Sequence, residues 1–115
     1  MSQAKVISDV EFDWREASPD WPGRAGPGEP TVWFKMLMAR SPGLPNVQRV
    51  RFEPKHFEPP HTHDEDEVIF LIGGELQFGD RKLAMGDTLF VPKNTRYSLR
   101  AGDAGTEFVR VGLPA

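Results

Sequence analysis

Two of the chain's three histidines stand one residue apart, in Pro60-His61-Thr62-His63. On a strand, residues two apart project from the same face, so both imidazoles can reach one point. Glu67 follows four residues later. On one unbroken strand it would lie roughly 13 Å beyond His63, too far to share a metal bound at about 2 Å. The intervening Asp64-Glu65-Asp66 is acidic and turn-prone, and Val68 onward is strand-like. A chain reversal at 64–66 brings Glu67 back beside the histidines. The three then form a two-His, one-carboxylate face for one divalent metal ion, with positions open for water or substrate. Iron, manganese, nickel, cobalt and zinc all suit such donors. The bland alternative is two surface histidines beside a solvated acidic turn.

Those residues need strands to position them, and strand signals dominate the chain. Thr31–Arg40 reads as a buried strand, since Pro30 and Pro42 flank it. Val47–Glu53 alternates, with Gln48, Val50 and Phe52 on one face and Arg49 and Arg51 on the other. Further strands are expected at 67–72, 75–78, 82–85, 88–91, 96–100 and 107–112. Between them stand Gly73-Gly74, Gly79-Asp80 and Gly86-Asp87. Roughly eight short strands at this spacing indicate a sandwich or closed barrel. Neither a capped helical stripe nor an internal repeat is found.

Residues 13–30 carry four Pro and three Gly without strand or helix periodicity, and read as an arm. The expected organisation is an N-terminal strand and Pro/Gly/Trp-rich arm over 1–30, then a barrel over 31–115. Packing of Trp14 and Trp21 on the barrel wall is favoured over an arm that reaches a neighbouring subunit or covers a pocket.

With 115 residues the chain makes one domain. It has no cysteine, hence no disulfide and no thiolate nucleophile or ligand. Net charge is −3 and the basic residues are scattered among acids, so nucleic acid is not the expected partner. No apolar run is long enough for a signal peptide or a membrane span, and a cytoplasmic setting is expected.

The spacing around the histidines resembles the cupin family over about residues 47–101. That family's first motif is Gly, five residues, His-x-His, three or four residues, Glu, six residues, Gly. His61, His63, Glu67 and Gly74 keep it, with Lys55 in place of the leading Gly. In the second motif Gly86 and Pro92 match, while Asn94 replaces a Gly, Tyr97 the His and Ala101 the Asn. The resemblance implies an all-β double-stranded β-helix, or jelly roll. It implies a metal held by His61, His63 and Glu67, and a small-molecule ligand or substrate.

Since the replaced histidine is the family's fourth metal ligand, Tyr97 is expected to face the same cavity, with Leu99 on its side of the strand. There it is a bound phenolate, a neutral proton-exchanging hydroxyl or a space-filling ring, and the second is favoured. Gln48, Phe34 and Met36, with Met38, are the expected pocket residues. His56 is expected to be a surface or structural residue. A dioxygenase-like enzyme is the favoured function, against a non-catalytic binding or sensory cupin. A homodimer is the expected assembly.

Overall fold

Alternation decides which side of each strand is buried. In Asn46–Phe52 the even positions point inward, and Val50 and Phe52 are wholly enclosed. Their odd neighbours Arg49 and Arg51 face outward on the same strand, as period-two geometry requires.

A computed structural model of the chain describes residues 4–18, 21 and 31–114. A 3₁₀ turn (Asp9–Glu11) precedes eight strands: β1 (Arg15–Glu16), β2 (Val32–Met38), β3 (Asn46–Phe52), β4 (Phe57–His61), β5 (Glu67–Phe78), β6 (Arg81–Leu83), β7 (Thr88–Val91) and β8 (Tyr97–Gly112). Among the described residues there is no α-helix, and none long and apolar enough to cross a membrane. All pairing is antiparallel, in the order β1-β2-β3-β8-β5-β6, with β4 added on β8 and β7 on β5. This is the expected jelly roll.

Two long strands organise it. Strand β5 pairs with β7 through Glu67–Phe70 and with β6 through Leu76–Phe78, while β8 accompanies it along both halves. Strands were expected separately at 67–72 and 75–78, with a turn at Gly73-Gly74, and again at 96–100 and 107–112. Each pair is instead one continuous bent strand. At the bend the β5–β8 ladder slips on both sides of Gly74. A Cβ on Gly74, whose φ is +72°, would meet the Gly105 carbonyl oxygen at 2.2 Å. Only glycine allows the two backbones to approach this closely.

The core lies between the two faces of this roll. Phe52 meets Phe108 edge-on at 5.2 Å, and Ile69, Leu71, Leu76 and Leu99 fill the remaining interior. His56 belongs to this interior and not to the surface: it is 5% exposed and packs on Phe52 at 4.6 Å. Burial lowers its imidazole pKa. Of the expected arm, residues 19–20 and 22–30 lie outside the described residues. Its start lays β1 along the edge of β2 and puts the Trp14 ring against Lys35, Arg49 and Arg51.

Candidate functional site

The acidic stretch bends as expected. Strand β4 ends at His61, the chain turns through 64–66, and β5 begins at Glu67. His61 and His63 meet edge to face with centroids 4.9 Å apart. His63 Nε2 lies 3.9 Å from Glu67 Oε1. The bend therefore brings the three residues into one neighbourhood.

Glu67 is fully buried, and both its oxygens are engaged. Arg110 Nε donates to Oε2 at 2.5 Å, and the Tyr97 hydroxyl donates to Oε1 in a short contact. The same guanidinium donates to Asn46 Oδ1 at 3.0 Å and to Glu65 Oε1 at 2.9 Å. Asn46 Nδ2 closes the ring on Glu65 Oε2 at 2.9 Å. One buried cation is thus compensated by two buried carboxylates, with its hydrogen bonds satisfied. Burial disfavours the Arg110 charge, but Glu67 and Glu65 outweigh it and raise the pKa. Burial, followed by the Glu67 charge, pushes Tyr97 far above the ordinary phenol value. The phenol is neutral at physiological pH, and a bound phenolate is disfavoured.

A second carboxylate faces the histidines. Glu58 Oε1 lies 2.9 Å from His61 Nε2. His61 Nδ1 sits 2.7 Å from the Pro59 carbonyl, which can only accept, so Nδ1 carries a proton. Nε2 then turns a lone pair toward a carboxylate, and it is buried without a hydrogen bond of suitable direction. Two facing acceptors need a cation between them: a proton on Nε2 or a metal. Burial opposes the protonated form of His61, but Glu58 and the Pro59 carbonyl raise its pKa. Burial lowers that of His63.

Among the described residues no group of three or more His, Asp or Glu side chains stands arranged to hold a metal ion. Donor chemistry and the orphaned His61 Nε2 nevertheless fit a divalent cation at the histidine pair. An imidazole whose other nitrogen donates to a carbonyl is the usual form of a metal ligand.

Beside this pair opens a cavity of about 320 Å³, lined by Trp21, Met36, Gln48, Glu58, His63, Glu65, Tyr97 and Arg110, among others. Gln48 and Met36 thus stand on its wall. Phe34 does not line it, but stacks on Trp21 at 5.9 Å behind the wall. Trp21 packs against the barrel core, as favoured, and also lines the pocket, where its Nε1 donates to Glu58 Oε2 at 2.8 Å. Tyr97 and Leu99 share the inward face of β8, both buried.

Glu58, Glu65, Asn46 and Arg110 did not stand out from sequence. The signal for Arg110 was its place two residues after inward Phe108, in a segment whose two faces are similarly apolar. Glu65 read as part of a solvated turn, yet it is 8% exposed.

No protein-family model and no curated protein matches the sequence. Solved structures do. An RmlC-like cupin from Shewanella frigidimarina is 18% identical, with a TM-score of 0.75 over 100% of this chain and 96% of that one. A predicted oxalate decarboxylase from Thermotoga maritima is 21% identical, with a TM-score of 0.72 over 96% and 100%. The polyketide cyclase RemF from Streptomyces resistomycificus is 15% identical, with a TM-score of 0.76 over 98% and 81%. At these identities the likeness is one of fold. In both motifs a Gly is replaced by a residue that keeps left-handed backbone, Lys55 at φ 65° and Asn94 at φ 63°.

Proposed function

From the premise that this chain has the cupin fold, we propose that it is a metal-dependent enzyme acting on a small molecule held in the cavity beside His63. The observation that supports the reading is the buried approach of His61 Nε2 to Glu58 Oε1 at 2.9 Å, which a proton or a divalent cation would satisfy. His61, His63 and a carboxylate would hold one divalent cation there. When bound, such a metal supplies Lewis acidity or an oxygen-binding centre, and dioxygenase-type chemistry is the class we assign.

The chain's own residues do the rest. Trp21, Met36 and Gln48 bound the space for the substrate. Tyr97, neutral and hydrogen-bonded to Glu67, lines the cavity and would exchange a proton with a molecule bound there. Two fold relatives are named for small organic molecules, oxalate and a polyketide, which accords with a cavity of about 320 Å³. A homodimer is part of the proposal. Phe70 and Ile72 of β5 and Phe90 of β7 expose apolar surface on one outer face.

A second reading, a binding or sensory barrel without turnover, is favoured by the commitment of Glu67 to Arg110 and Tyr97. Elemental analysis of protein purified without added metal, then oxygen uptake with a panel of small organic acids and phenols, separates the two. Close to one metal per chain with oxygen uptake supports the enzyme. Full metal occupancy in the His61→Ala, His63→Ala double variant overturns the site. Metal without turnover favours the second reading.

A further inference from the structure

The motif's glutamate is not the carboxylate closest to the histidine pair. Glu58 Oε1 stands 2.9 Å from His61 Nε2, whereas Glu67 Oε1 stands 3.9 Å from His63 Nε2. Building on the metal reading above, we propose that Glu58 is the carboxylate donor that joins His61 and His63. Glu67 instead serves as the buried anchor of Tyr97 and Arg110.

Strand parity hides Glu58. It lies three residues before His61, and on a regular strand the two would point to opposite faces. Opposite them on β8, Glu58 pairs with Leu99 and His61 with Tyr97, so three steps on β4 match two on β8. The extra residue is a β-bulge at Pro59-Pro60, where neither residue has an N–H to give the ladder. The bulge turns Glu58 and His61 to the same inward side. Glu58 is accordingly 4% exposed, and like His63 it lines the cavity.

The surrounding contacts divide the two carboxylates by role. Trp21 Nε1 holds Glu58 Oε2 and leaves Oε1 directed at His61. Orientation of one oxygen by a neighbouring donor is the common support for a ligating carboxylate. Each Glu67 oxygen already accepts a hydrogen bond from a buried donor, so a metal would compete there with Tyr97 and Arg110. Withdrawal of Glu67 would leave Tyr97 without its acceptor and Arg110 with Glu65 as its remaining carboxylate.

Titration with Co²⁺, followed by its visible absorption and by calorimetry, tests the assignment without any assay of turnover. Glu58→Gln is expected to weaken Co²⁺ binding at least about tenfold and to change the absorption band. Trp21→Phe, which frees Glu58 Oε2, is expected to weaken it severalfold, toward about tenfold. Glu67→Gln, where it folds, is expected to bind within about threefold of wild type. Co²⁺ binding unchanged in both Glu58→Gln and Trp21→Phe overturns the assignment, as does its loss in a folded Glu67→Gln with Glu58→Gln unaffected. If the wild-type protein itself takes up no Co²⁺, the metal reading fails rather than the choice of carboxylate.

Discussion

Arg110 and Glu67 form a buried ion pair at 2.5 Å, with Arg110 reaching from β8 to the first residue of β5. The pair ties together the two longest strands at the end of the barrel that carries the histidines. Removing one partner leaves an uncompensated charge on a buried side chain. Arg110→Met is therefore expected to destabilise the fold by about 3–5 kcal/mol, and the double variant with Glu67→Gln by clearly less. Urea unfolding of the two variants checks this. A loss below about 1 kcal/mol in Arg110→Met would show that the pair is solvated.

Tyr97 is the chain's one tyrosine, so its ionisation can be followed directly by ultraviolet absorbance. Burial and the Glu67 charge raise its pKa in the folded state. A folded pKa above the unfolded value gives stability that is fully present below about pH 10 and is lost as pH rises through the folded pKa. In chelator-treated protein the tyrosinate signal should stay flat past pH 10 and appear only with unfolding. Ordinary titration near pH 10 in folded protein would refute the buried hydrogen bond.

Tyr97→Phe removes a donor from a buried carboxylate, with an expected cost of about 1.5–3 kcal/mol. Metal affinity should hold nearly constant, while turnover, or ligand affinity if there is no turnover, should drop severalfold. A large loss of metal would make Tyr97 a ligand. Unchanged turnover and ligand affinity would leave it only the anchoring of Glu67.

The close approach of β8 to Gly74 of β5 predicts a sharp contrast between two glycines with positive φ. Gly74→Ala places a methyl 2.2 Å from the Gly105 carbonyl oxygen, whereas Gly79→Ala meets nothing within 4 Å. The second should cost about 1 kcal/mol through its backbone conformation, and the first should exceed it by at least about 2 kcal/mol. Thermal melts of both variants decide. Equal losses would mean that the strands separate easily at this approach.

Light scattering tests assembly. Val68 and Phe90 are directly paired, and Phe70 lies diagonal to Phe90 on the same outer face. A mass near twice 12.9 kDa is expected for the wild type, and a monomer for the Phe70→Asp, Phe90→Asp variant. A wild-type monomer at high concentration would refute the dimer.

Much of the barrel was legible from local pattern. Period-two alternation put Gln48, Val50 and Phe52 on one face, and turn residues marked the hairpin at Gly79-Asp80 and the turn between β6 and β7 at Gly86-Asp87. The acidic stretch before Glu67 was enough to expect a reversal that returns it to the histidines. These features depend on residues near one another in the chain, where stereochemistry acts directly. Gly73-Gly74 shows where that reading stops: the same pair suits a turn or a bend within one strand, and the close approach of Gly105 from β8 goes with the bend.

The site followed the same division. His61, His63 and Glu67 were recognisable by spacing, because a strand, a turn and a strand start lie within seven residues. Which carboxylate faces the imidazoles was decided elsewhere. A bulge measured against β8 turns Glu58 inward, and Arg110, 43 residues from Glu67, binds the carboxylate that the spacing had singled out. Parity along one strand cannot register an extra residue that exists only relative to its partner. Nor can spacing show that a charge has been claimed by a counter-charge from another strand.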